Sequence, residues 1–131
     1  MTDTQKKTIL IIDDDTFLLD MYSLKFVESG FDVSTATSCA DALAQLAGGY
    51  RPDIMLVDVV MPGMDGIQFL QALKEKQITG LKHIVVLSNL GQKEDVDRGL
   101  ANGAEDYIVK ANFTPSEVVA KVRKIFDSEK K

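Results

Sequence analysis

Asp13 with Asp14, Asp58, Ser88 and Lys110 are far apart in the chain, yet each follows directly on an apolar run: ILII, IMLV, IVVL and YIV. A charge or hydroxyl at the seam between a buried strand and a turn is poorly explained by packing. Two carboxylates about 5 Å apart at an effective dielectric of about 20 repel by roughly 3 kcal/mol. A cluster of three therefore takes up a proton or binds a cation. With oxygen ligands and no His or Cys nearby in sequence, the expected ion is Mg²⁺, with Mn²⁺ as its substitute. Lys110, a compact cation, and Ser88, a hydroxyl donor, could together hold a dianionic phosphoryl group beside it. A carboxylate can also attack phosphorus and form an aspartyl phosphate. Asp58 is the best placed, because the turn from Val59 to Gly63 can aim backbone N–H groups at the incoming oxygens.

Five alternations of a short β-branched run with a longer segment of helical spacing must position these groups. The strands are expected at Thr8 to Asp13, Phe31 to Ala36, Asp53 to Asp58, His83 to Ser88 and Asp106 to Val109. Alternating units of this kind predict an α/β fold: a doubly wound parallel sheet of five strands with helices on both faces; if the strand order is the flavodoxin-like 2-1-3-4-5, the carboxylates ending strands 1 and 3 are adjacent. Ligands in such sheets bind beyond the carboxyl ends of the strands, where strand order reverses. SCAD from Ser38 and TPSE from Thr114 read as capping boxes, and Asp15 as the cap of the first helix. Asp65 and Gly66 fall near the start of the third. Val118, Val119, Val122, Ile125 and Phe126 form the buried stripe of the last helix, and Phe17, Met21 and Leu24 that of the first. Gly30, Gly48 with Gly49, Gly80 and Gly103 are expected as C-caps. Between Gln92 and Asn102 the apolar anchors are Val96, Leu100 and Ala101, with Gly99 inside, so this helix is the candidate moving part.

At 131 residues the chain suits one domain with an ordinary core. Residues 8–127 are expected to form it, between a flexible 1–7 and a tail at 128–131. A net charge of −5 with scattered lysines speaks against direct contact with nucleic acid. The apolar runs are too short for a membrane span, the single Cys39 cannot form an internal disulfide, and a cytoplasmic location is expected. Cys39 and the methionines at 21, 55, 61 and 64 read as packing. His83, at the far end of its strand from the site, reads as structural.

The chain resembles the receiver domain of two-component response regulators over essentially its whole length. The resemblance rests on ILIIDD ending at Asp13 and Asp14, on Asp58 followed by MPGMDG from Met61, on Ser88 closing the fourth strand, and on YIVK from Tyr107 to Lys110. It implies that Asp58 is the phosphoacceptor, Asp14 a direct Mg²⁺ ligand, Asp13 a ligand through water, and the Val60 carbonyl the remaining protein ligand. Ser88 takes the switch position and Lys110 that of the family's lysine, and Tyr107 is the aromatic that follows the switch. The implied partners are a histidine kinase or histidine phosphotransferase and a downstream protein target. The surface of helix 4, strand 5 and helix 5 is switched, in a monomer or a weak phosphorylation-dependent dimer. The ending DSEKK points to the stand-alone kind, which is no enzyme beyond its own phosphorylation and dephosphorylation.

Three departures stand out. Lys110 precedes Ala111 where the family has a cis proline, and a cis peptide before alanine costs roughly 3 kcal/mol, so a trans bond and a shifted loop are expected. Asn89 follows Ser88 where the family prefers a small residue. Val60 and Leu90 cannot position an attacking water, which predicts a long-lived phosphorylated form. The rival readings are a phosphorylation-independent pseudo-receiver binding module, with Asn89 and Ala111 as signs of decay, and an enzyme acting on small phosphate esters. Against the latter, Val60 stands where a second acid would be needed.

Overall fold

The computed structural model describes residues 6–88 and 93–128. Five strands, β1 (Thr8–Ile12), β2 (Asp32–Ala36), β3 (Ile54–Asp58), β4 (His83–Ser88) and β5 (Asp106–Val109), alternate with α1 (Thr16–Glu28), α2 (Cys39–Ala47), α3 (Gly66–Glu75), α4 (Lys93–Ala101) and α5 (Pro115–Ser128). A single 3-10 turn, Lys110–Asn112, joins β5 to α5. The sheet is parallel in the order β2-β1-β3-β4-β5, as expected. No helix among the described residues is long and apolar enough to cross a membrane.

Side-chain alternation divides the core between the two faces. Leu10, Ile12, Met55, Val57 and Val86 pack against α2 and α3, whereas Ile9, Ile11, Leu56, Val85 and Leu87 pack against α1 and α5. Both faces of the central strands are covered, which is why those strands read as continuous apolar runs. Cys39, Met55 and Met61 are buried in the first cluster, and Met64 packs at its edge. Burial, followed by the charges of Asp65 and Asp58, pushes the Cys39 thiol up to about 12, so it is an inert packing group.

Strand ends differ from expectation by one residue. Asp13 lies just past β1, although its N–H still bonds the Ala36 carbonyl at 3.1 Å. Asp53 precedes β3, although its N–H still bonds the Thr8 carbonyl at 3.0 Å, and its carboxylate accepts from the Thr8 N–H at 2.8 Å and the Thr8 hydroxyl at 3.1 Å. Lys7 is tied in as well: its carbonyl accepts from the Asp32 N–H and its ammonium lies 5.0 Å from the Phe126 ring centre.

The helices bring larger corrections. In α1 the buried residues are Leu19, Tyr22 and Phe26, while Phe17 and Leu24 are exposed. Apolar residues occur all round this helix, so periodicity leaves its inner face undetermined. In α4 Leu100 and Ala101 face outward, and burial falls to Val96 and Gly99. A Cβ on Gly99 would lie 2.9 Å from Val86 Cγ2, so this glycine is what lets the helix close on β4. Gly80 is not the cap of α3. That turn is made by Gln77, at φ 57°, with Gly80 at φ 87° further on. The last helix matches its expected stripe, with Val118, Val119, Val122 and Phe126 buried. Thr114 and Glu117 form its capping box, each accepting the other's N–H, at 3.2 and 2.8 Å. Ser38 supplies half of one, accepting from the Asp41 N–H at 3.0 Å.

Candidate functional site

Parallel register delivers the polar groups to one rim. Asp58, the last residue of β3, lies opposite Leu87, and Ser88 lies one step further, opposite Val109. Asp13 follows the β1 residue paired with Val57, and Lys110 follows Val109. Carboxylate oxygens of Asp13, Asp14 and Asp58 all lie within 4.8 Å of one another.

Burial separates the three acids. Asp13 is 0% and Asp58 3% exposed, whereas Asp14 is open to solvent. Asp13 Oδ1 accepts from the Asp15 N–H at 3.0 Å and its Oδ2 from Lys110 Nζ at 2.7 Å. Asp58 Oδ2 accepts from the same ammonium at 3.2 Å and its Oδ1 from the Val60 N–H at 3.1 Å. Asp15 caps α1, accepting from the N–H groups of Phe17 and Leu18 at 3.1 and 3.2 Å. The N-terminus of α1 is thereby anchored beside the acids.

These surroundings set the charges. Burial pushes the Asp58 carboxyl up to about 6; Lys110 pulls it down, Asp13 pushes it up, and the hydrogen bonds from Lys110 and Val60 lower it. Burial works against the charge on Lys110, yet its hydrogen bond to Asp13 and the charges of Asp58 and Asp13 outweigh it, so the ammonium pKa is raised. One cation among three acids leaves the cluster short of positive charge. Its donors are oxygens, with one exposed carboxylate and two buried ones, and their spacing suits a hard divalent ion that keeps some ligands through water.

Ser88 is buried beside Asp58, and Tyr107 is 40% exposed on the outer strand. Val60, two residues past Asp58, is 63% exposed. No peptide bond among the described residues is cis, so Lys110–Ala111 is trans and leads straight into the 3-10 turn. Asn89 and Leu90 lie outside the described residues. His83 sits at the opposite end of β4, its Nδ1 2.6 Å from Glu105 Oε1 and its ring edge-on to Phe126.

Two contributors were missed in the sequence reading. Asp65 and Gln68 form a complete capping box that starts α3, with both reciprocal bonds at 2.9 Å, a D-x-x-Q signal present in the sequence. Gly66 has no such signal: a Cβ there would stand 2.5 Å from the Asp58 carbonyl oxygen and 2.9 Å from Val59 Cα, so the helix starts against the backbone of Asp58.

Residues 9–123 match the response regulator receiver domain family. The chain is 35% identical over 119 residues to the phosphate regulon transcriptional regulatory protein PhoB of Escherichia coli, covering 91% of this chain and 51% of that protein. It is 38% identical over 121 residues to the DNA-binding response regulator MtrA of Mycobacterium tuberculosis, covering 92% and 51%. The chain spans about half the length of the curated relatives it matches. Among solved structures, the chemotaxis protein CheY4 of Vibrio cholerae superposes with a TM-score of 0.81 at 28% identity, covering 92% of this chain and 98% of that one. A CheY-like receiver domain from Methanospirillum hungatei does so with a TM-score of 0.83 at 27% identity, covering 96% and 98%. The flavodoxin-like fold, the acidic rim and these matches agree, and the chain belongs to the response regulator receiver domains of two-component systems.

Proposed function

We propose that Asp58 accepts a phosphoryl group from a histidine of a partner kinase or phosphotransferase. The observation that carries this reading is the meeting of Lys110 with Asp13 and Asp58 in a buried pocket whose open side is lined by Asp14 and Val60. In the transfer, an Asp58 oxygen forms a bond to phosphorus as the donor's N–P bond breaks. The bonding pair returns to the imidazole nitrogen, which is protonated from solvent. Asp13, Asp14, Asp58 and the Val60 carbonyl would hold Mg²⁺, whose charge, when bound, offsets that of the phosphoryl oxygens. Lys110 and the Val60 N–H already face the Asp58 carboxylate and can follow those oxygens with little reorganisation.

Ser88, buried at the end of the strand beside β3, would bond the new dianion, and Tyr107, half out on the neighbouring strand, would follow it. The α4–β5–α5 surface would then change for a downstream protein partner. With a net charge of −5, any output to DNA would run through another domain or partner rather than this surface. The exposed Phe17, two residues past the Asp15 cap at the rim, gives a phosphodonor an apolar contact. Val60 has no polar side-chain group to orient an attacking water, so the phosphorylated form should last minutes or longer; a half-life of seconds would break that part of the reading.

The deciding experiment is intact mass after incubation with Mg²⁺ and a small phosphodonor, wild type beside Asp58→Asn. One Mg²⁺-dependent phosphate adduct, absent from the variant, is expected. No adduct in the wild type would favour a phosphorylation-independent binding module.

A further inference from the structure

A groove lies at the amino end of β4, away from Ser88. It is lined by Leu70 and Leu73 of α3, by Ile78, Leu81 and Ile84, and by Gly103 past the end of α4, and it encloses about 180 Å³. Ile78, Leu81 and Ile84 are only partly buried against the core, so the groove presents apolar surface to solvent. Its walls are held by the fold itself. Arg51 Nε donates to the Thr79 carbonyl at 2.6 Å, and its Nη1 donates to the carbonyls of Leu46 and Tyr50 at 2.6 and 2.8 Å, which ties the loop after α3 to the end of α2. The Ile78 N–H bonds the Leu73 carbonyl at 3.0 Å. Beside Gly103, the Asn102 side chain donates to the Arg98 carbonyl at 2.8 Å, and the Ala104 N–H bonds the Gly99 carbonyl at 3.0 Å. The groove is thus formed before anything fills it, which lowers the ordering cost of binding.

Charge indicates what suits it. Arg51, Lys74, Lys76 and Lys82 are all exposed; Lys74 lines the groove, and Lys82 follows Leu81 in the chain. Glu75 is the single acid between Lys74 and Lys82. Among the described residues none of these four cations forms an ion pair, and the bonds of Arg51 go to carbonyls. The helix dipole accounts for Lys74 in the last turn of α3, but not for Lys82. In a chain of net charge −5 this is a local reversal of sign beside apolar surface. We propose that the groove docks an acidic amphipathic segment of another protein, with one large apolar side chain seated among Leu73, Ile78, Leu81 and Ile84 and its carboxylates facing the lysines. The apolar anchor supplies the affinity. The charges fix the place, since the rest of this acidic chain repels such a segment. The groove stands at the opposite end of β4 from the acidic rim, so its occupancy does not rest on the phosphoacceptor reading.

The probe is a synthetic peptide of alternating Glu and Asp that carries one Leu and one Phe a helical turn apart, titrated into ¹⁵N-labelled protein. Saturable shifts are expected at the amides of Leu73, Ile78, Leu81 and Gly103, larger there than at the Asp58 rim. Lys74→Glu combined with Lys82→Glu, at two exposed positions, should weaken binding about tenfold, and high salt should weaken it as well. The same peptide with Ser in place of Leu and Phe should leave the spectrum unchanged. No saturable shift overturns the proposal. So does equal binding by the Ser peptide, or by one in which lysine replaces every acid. If the protein ignores the peptide but co-sediments with vesicles of anionic phospholipid, and loses that in the double variant, the patch serves a lipid surface and the protein-docking reading fails.

Discussion

α3 starts on a complete capping box, buries Ile67, Phe69, Leu70 and Leu73, and sets Gly66 against the backbone of Asp58, whereas its neighbour α4 buries only Val96 and Gly99. Both helices cover the same face of the sheet, and both use a glycine for close approach. At Gly66 the opposing atoms are backbone and cannot yield; at Gly99 the nearest is a methyl of Val86, which can. One helix is held against the backbone of Asp58, and the other makes a smaller buried contact whose nearest neighbour is a side chain.

The contrast is broken most severely at Gly66. Gly66→Ala should cost about 3 kcal/mol or more, since a Cβ there meets immovable backbone. Urea denaturation measures this, and a loss below about 1 kcal/mol would mean that α3 is free to back away from β3.

Asp58→Asn should act in the opposite direction. The Asp58 carboxyl titrates at about 6 in the folded protein against an ordinary 3.8. Folding therefore disfavours its ionised form, and the resulting destabilisation builds up as pH rises from about 4 to about 6 and persists above. In Mg²⁺-free buffer the variant should be more stable than wild type by about 1–2 kcal/mol at pH 8, after discounting for solvent screening. Below pH 3.8 the difference should vanish. Denaturation curves at the two pH values check the sign.

Gly99→Ala should be milder. A gain of about 1 kcal/mol in helix propensity opposes a similar cost of crowding Val86, so net stability should change by less than about 1 kcal/mol. Amide exchange should quicken in α4 and stay unchanged in α3. Equal quickening in both would show that the two helices move as one.

The smallest effect belongs to the far end of α3, where Gln77 holds a left-handed φ of 57°. Gln77→Gly should stabilise by about 0.5–1 kcal/mol, read as a rise in melting temperature, without altering exchange in α4.

Much of this organisation was legible in the chain. The short β-branched runs and their breaks located every strand within a residue, and β1, β3 and β4 read as continuous apolar runs because a strand buried on both faces has little choice of composition. Asp13, Asp58, Ser88 and Lys110 declared themselves as polar groups at the ends of such runs, and parallel pairing brought them to one rim. The inner face of α1 was not legible, since a helix with apolar residues on all sides has no unique stripe, and its neighbours chose Tyr22 over Phe17 and Leu24. Nor was the role of Gly99, which looked like a weakness and proved to be a point of contact.

The sequence alone thus determined the layer architecture and the identity of the rim residues, through period, punctuation and the chemistry of side chains that do not suit a core. Only the tertiary structure decided which acids are buried, where the Lys110 ammonium divides its bonds, and which helix is clamped to the acceptor. Those outcomes depend on distances between segments far apart in the chain, and no local pattern encodes them.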